Sequence, residues 1–452
     1  MKAPGAPTTS RTRSQAASIA RPPGAVADSG RGAQPIGSQP ASVWRRIGFA
    51  GAWLALALSV PILAVIGMRS VLDVQATAPE RQQVDPTAVD FQALVTPTPT
   101  LLVLYQDGAG TLASVALMVP AGVGSGGTVL LLPASTEVPS LAGVGAGSGD
   151  GRLLTLAELH AMDPNATGKA VEALLGISLP QVALIDGAAW AETVAPIGAV
   201  VIDSPDRLET TDAAGQPVVY EASRLALRPE DVGPYLGASR SGESPEAKLF
   251  RQDLVWTAWL DALAQMDDPG VGGGSRLFGS FGHDIANGIH DVTVVAGQAS
   301  PAEGDGMARF QVLPGQLHAQ VLDLVQFPVG APGDDRWARV RLLDGRGDQA
   351  ATLAAGRVIA NEWAQLTVFG TADSFDHVAN LVQFHGDEYR DHGERLAQAL
   401  GGGVLVFAED PTDVVDLTVV VGADFESDFS TPDDVVPRII TSVPESGTDD
   451  GG

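Results

Sequence analysis

The sequence has no cysteine among its 452 residues. That excludes disulfides, thiolate nucleophiles, Cys zinc sites and thiolate-held iron–sulfur clusters, and it leaves the compartment open. Positive charge is also scarce, with 27 Lys and Arg against 54 Asp and Glu and a net charge of −27. A protein that neutralises nucleic-acid phosphates needs the opposite sign on its binding face, so no nucleic-acid partner is expected, although a local basic pocket survives the argument. No G-x-S-x-G nucleophile elbow and no H-E-x-x-H pair occur anywhere in the chain. The commonest serine-hydrolase and zinc-protease signatures are therefore missing.

What is present divides the chain. From Ile47 to Met68, 22 residues run without a charge, long enough at 1.5 Å per residue to cross a hydrocarbon core as one helix. Residues 1–46 hold Lys2, Arg11, Arg13, Arg21, Arg31, Arg45 and Arg46 against the single acid Asp28. The positive-inside rule then keeps the N-terminus in the cytoplasm and puts the acidic bulk outside the membrane. Residues 1–46 read as a disordered basic tail, 47–68 as the transmembrane helix and 69–98 as a Pro-containing linker ending in LVTPTPT.

The first folded unit is expected over 99–330. TLLVLYQD, LASVALMVP and GTVLLLPAS are apolar runs bounded by Gly clusters, as in neighbouring buried strands. Gly122, Gly124 and Gly127 fit a G-x-G-x-x-G pattern, but a strand follows them where a phosphate site needs a helix N-terminus, so the spacing predicts a plain turn. Helices follow at LLTLAELHAMD and ATGKAVEALLGIS, the second capped by Gly176, then a strand LPQVALID, a helix AAWAETVAPIGA and a strand VVID. A long helix around KLFRQDLVWTAWLDALAQM sets Trp256, Trp259, Leu260 and Leu263 on one face, for core packing or, alternatively, the wall of a lipid groove. This alternation argues for an α/β sandwich around one sheet. Few contacts are expected to cross FPVGAPGDD, after which residues 336–426 read as a second, small α/β domain and 427–452 as a disordered acidic tail.

With these elements in place the sequence resembles a membrane-anchored LytR-CpsA-Psr protein followed by a LytR C-terminal domain. GKAVEALLGISLPQVALIDGAAWAETVAPIGAVVIDSP carries the first likeness; VRLLDGRGDQAATLAAGRV and DLTVVVGADF carry the second. The resemblance implies an α/β/α sandwich around a mixed sheet. It also implies kinship with enzymes that move polyprenyl-pyrophosphate-linked glycopolymers onto peptidoglycan, using arginines against the pyrophosphate and carboxylates for Mg²⁺ or the acceptor hydroxyl. Partners would be the membrane, such a glycopolymer or peptidoglycan, and other envelope proteins.

Measured against that pattern, the chain departs from its relatives. Asp107 keeps the first family aspartate, but Ser114 stands at the second, Ala134 and Ser135 replace an arginine-aspartate pair, and Gly237 and Ser239 replace two arginines. Arg240 is displaced by one position, Lys248 replaces a further arginine, and Arg251 with Gln252 keeps its match. Ala or Gly cannot replace a planar bidentate fork. The resemblance therefore implies an LCP-like binding or scaffolding component with no catalytic residues and no cofactor, whose candidate pyrophosphate ligands are Asp107, Arg240, Lys248 and Arg251. The alternatives are an active Mg²⁺-dependent phosphotransferase with rearranged arginines, and an interaction module working through the C-terminal domain. His377, His385 and His392 lie among acids without metal-ligand spacing and read as solvated surface; Arg346-Gly347-Asp348 reads as a tight turn.

Overall fold

The structure is a computed structural model that describes residues 85, 87–122, 124–138, 153–211, 216–240, 242–266, 276–300, 308–334, 336–408 and 414–426. The expected tails 1–46 and 427–452 and the membrane span 47–68 lie outside the described residues.

The first unit is built on a mixed five-stranded sheet. Its order is Ile289–Val294, Gly126–Leu132, Leu112–Gly122, Leu101–Gln106, Val182–Ile185, with both outer pairings parallel and the two inner ones antiparallel. In the strand Leu101–Gln106, residues 101–105 are a continuous apolar run because both of its faces are covered. One face packs on helices Gly187–Val194, Pro229–Gly237, Pro245–Leu263 and Arg276–Ala286; the other packs on Leu156–Met162, Pro164–Leu175 and Pro314–Leu324. This is the α/β/α sandwich the sequence predicts. Of the G-x-G-x-x-G glycines only Gly127 serves a close backbone approach, a Cβ there falling 2.4 Å from the Val119 carbonyl oxygen; its neighbour Gly126, at φ +89°, would put a Cβ 1.8 Å from the Ile289 carbonyl oxygen and block the parallel pairing with Ile289–Val294.

The second unit is a six-stranded sheet in the order Gln92–Leu94, Ala364–Thr371, Ala338–Asp344, Leu417–Val421, Leu381–Phe384, Val404–Phe407. Helices Gln349–Asn361 and Arg390–Ala399 cover its core. Two expectations need correction. Gln92–Leu94, placed in the linker, is an antiparallel edge strand against Val368–Gly370, and Val95 packs on that same core. Three residues between turns are too short a run for periodicity to reveal. Contacts also cross FPVGAPGDD. Ser178 N–H donates to Val329 O, Gly330 N–H to Gln365 Oε1 and Trp337 Nε1–H to Gly176 O. Gly176, the left-handed C-cap of Pro164–Leu175, leaves the room Trp363 needs: a Cβ there would meet the Trp363 ring at 2.8 Å.

Burial disfavours the charged form of two imidazoles. Gln106 Nε2–H donates to His160 Nε2 at 2.8 Å, so the proton sits on Nδ1 and is given to Thr167 Oγ1 at 2.9 Å. His318 stacks on Trp363 with ring centroids 3.9 Å apart, and Arg336 covers Trp363 at 4.0 Å. Burial holds both histidines below the ordinary value of 6.5. The unfolded chain therefore binds more protons than the folded one as pH falls through 6.5, and stability is lost in that direction. The histidine contribution to the urea midpoint should decline between about pH 6.5 and 5.5. His160→Gln should make that decline shallower, and an equal slope in the two proteins would contradict this assignment.

Candidate functional site

The four predicted ligands lie around the connection between two helices on the same face of the sheet, of which residues 238–240 and 242–244 are described. Pro229–Gly237 ends where Ala238 N–H donates to Pro234 O. Pro245–Leu263 begins at Ser244, whose Oγ accepts the Ala247 N–H, with Pro245 preset for the first turn. Below the loop, Gln252 Nε2 donates to Ala113 O at 3.0 Å and Leu236 O at 3.1 Å, tying the long helix to the strand Leu112–Gly122.

Arg251 is fully buried. Its Nε donates to Glu243 Oε1 at 2.9 Å and its Nη2 to Glu243 Oε2 at 2.8 Å and Ala238 O at 2.9 Å. The Glu243 side chain is only 3% exposed. The fork that the resemblance assigns to a pyrophosphate is thus closed on an internal carboxylate, leaving Nη1 buried and without a hydrogen-bond partner among the described residues. Arg240, half-exposed, pairs with Asp206 at 2.7 Å and lies 3.9 Å from the same Glu243. Glu243 is the functional residue the sequence reading missed. Its signal was weak, an acid in a polar loop, which by itself reads as solvated surface.

Lys248, partly buried in the first turn of its helix, donates to Ser239 Oγ at 3.0 Å and to Gly237 O at 3.5 Å. Burial, then the Arg251 charge, pushes its ammonium down to about 8 against the opposing pull of Glu243 and Asp107. Asp107 closes the strand Leu101–Gln106 with an Asx turn, Oδ1 accepting the N–H groups of Ala109 and Thr111. Tyr105, next to it, is raised above its ordinary value, first by burial and then by Asp107 and Asp186. Ser114 sits opposite Tyr105 in the ladder, 2% exposed, with its Oγ unpartnered among the described residues.

Of the replaced positions, Gly237, Ser239 and Ser114 belong to this face, whereas Ala134 packs on the opposite core. The donor set does not fit Mg²⁺. Asp107 spends one oxygen on its turn, a hydroxyl stands at the second acid, and Glu243 is committed to Arg251.

The apolar face of the long helix is core. Trp190, Trp256, Trp259 and Phe278 are all at most 1% exposed, with ring centroids 5.0–5.8 Å apart. The three C-terminal histidines go to separate partners: His377 to Asp373, His385 to Thr418 Oγ1, His392 to Arg336 O. Asp348 of the Arg346-Gly347-Asp348 turn caps the helix Gln349–Asn361. A cavity of about 670 Å³ lies elsewhere, lined by Val138, Leu174, Leu317, His318 and Trp363 among others, and includes none of the four predicted ligands.

The sequence matches no family model and no curated protein. Among solved structures the chain is similar to TagV of Bacillus subtilis, with 14% identity, 50% of this chain and 96% of that one covered and a TM-score of 0.40. It is similar to a LytR-Csp2A-Psr enzyme from Actinomyces oris, with 18% identity, 52% and 95% covered and a TM-score of 0.34. A third is protein gbs0355 from Streptococcus agalactiae, with 13% identity, 51% and 86% covered and a TM-score of 0.41. Likeness at this level assigns no activity.

Glu243→Gln leaves the Arg251 charge buried and uncompensated. Breaking a buried pair from one side costs on the order of 3–5 kcal/mol, so this variant should show a urea midpoint far below that of the parent protein. A midpoint unchanged by Glu243→Gln would show that the pair is open to solvent.

Proposed function

We propose that the chain is a LytR-CpsA-Psr-like component of envelope glycopolymer assembly that has lost phosphoryl transfer and acts by binding or scaffolding. The motif resemblance supports the class, and one observation carries the loss: the retained arginine, Arg251, is bidentate to Glu243. In this reading Ile47–Met68 anchors the chain in the membrane with the N-terminus cytoplasmic and the folded bulk outside. Its partners are then a polyprenyl-linked glycopolymer or peptidoglycan and other envelope proteins, the latter met through the six-stranded C-terminal sheet.

The energetics run against turnover. Each missing charged hydrogen bond to phosphate is worth on the order of 1.5–3 kcal/mol, and clamps on a transferring phosphoryl group act mainly in the transition state. With two or three absent, the rate falls by about two to six decades. One observation favours the rival, an active phosphotransferase: Asp107, Lys248, Arg251 and Gln252 share one face and one loop.

The full chain in detergent, given Mg²⁺ and a polyprenyl-pyrophosphate-linked glycan, should release no product above a protein-free control. Turnover that Arg251→Ala abolishes would overturn this reading and promote the rival.

A further inference from the structure

Ser239 and Lys248 make a contact that the proposed function does not use. The Lys248 ammonium donates to the Ser239 hydroxyl at 3.0 Å; once neutral, the same amine accepts from that hydroxyl. Two features lower the cost of the neutral form. The side chain is partly buried, and it stands in the first turn of Pro245–Leu263, where the positive end of the helix dipole opposes an ammonium. The charged groups facing it are Arg251, which favours the neutral amine, and Glu243 and Asp107, which oppose it.

Ser239 itself is exposed, yet its backbone is held on both sides. Ala238 donates to Pro234 O and accepts from Arg251 Nη2, while Arg240 N–H donates to Glu243 Oε2 at 3.2 Å. Among the described residues the Ser239 N–H has no hydrogen-bond partner, which leaves a fixed donor beside the hydroxyl. A hydroxyl paired with a lysine of lowered basicity, beside a backbone N–H that has no partner among the described residues, is the arrangement that Ser-Lys acyl-transfer enzymes use.

We propose that Ser239 and Lys248 form a nucleophile–base dyad acting on neutral carboxylic esters. Ser239 Oγ attacks the ester carbonyl carbon as its proton passes to Lys248 Nζ, and the Ser239 N–H faces the oxyanion that forms. The carbon–oxygen bond to the leaving alcohol then breaks, and that alcohol takes the proton from Lys248. Water, deprotonated by the same amine, releases the acid and restores the serine. The neighbours set the substrate class: Arg240 and Arg251 are engaged by Asp206 and Glu243, and Asp107 adds negative charge, so an anionic reacting group is disfavoured.

The test uses the full chain in detergent with p-nitrophenyl acetate. An acetyl group should appear on Ser239 during turnover, and hydrolysis should fall by about 10²-fold or more in Ser239→Ala and Lys248→Met. The rate should climb with pH to a plateau with an apparent pKa near 8. Acetyl on Lys248 or elsewhere, an undiminished rate in Ser239→Ala, or no hydrolysis above buffer would each overturn the dyad. The dyad shares the loop of the proposed function but not its test: failure here leaves the lost phosphoryl transfer standing, and pyrophosphate cleavage would overturn that loss alone.

Discussion

A guanidinium without water must find its counter-charge inside the protein, and at Arg251 it finds Glu243. Desolvation makes the pair obligatory: an unpartnered buried charge costs far more than a loop does to fold over it. Two arginine nitrogens on one carboxylate, and a third hydrogen bond to Ala238 O, fix Ala238 and Glu243 against the long helix. The next residue, Gln252, reaches Ala113 and Leu236 and joins that helix to the central sheet. The geometry of Ser239, Arg240 and Lys248 follows from where this pair holds the loop.

The same pair sets the chemistry. Cations that could have met a polyanion instead satisfy acceptors of the chain itself: Arg251 and Arg240 their carboxylates, Lys248 a hydroxyl and a carbonyl. Beneath them, four aromatic side chains packed mainly edge to face fill the face of the sheet as core, and Gly282 leaves space for Trp259, since a Cβ there would lie 2.3 Å from its ring. A surface poor in free positive charge suits recognition of neutral groups better than transfer of charged ones.

Much of the fold was legible in the residues. Leu101–Gln106 reads as a strand buried on both faces, Ala338–Asp344 alternates as a half-covered one should, and Gly176 ends its helix in the left-handed conformation expected of it. Gln92–Leu94 was hidden because its pairing with Val368–Gly370 is far away in sequence. Trp337, near the start of the expected second domain, reaches back to Gly176. At the site, Arg251 could be found by motif. Its partner could not, because an acid eight positions earlier in a Gly- and Ser-containing loop looks like solvated surface until the fold removes the water. The contact of Ser239 with Lys248 was likewise invisible, since no motif marks a hydroxyl brought to an amine by a helix start.

Whether Glu243 has taken the place of a phosphate is decided most directly by calorimetric titration of inorganic pyrophosphate into the full chain in detergent, beside an Arg251→Met variant. No Arg251-dependent heat is expected, because the guanidinium fork is already closed. Saturable binding by the parent protein that Arg251→Met removes would contradict that closure.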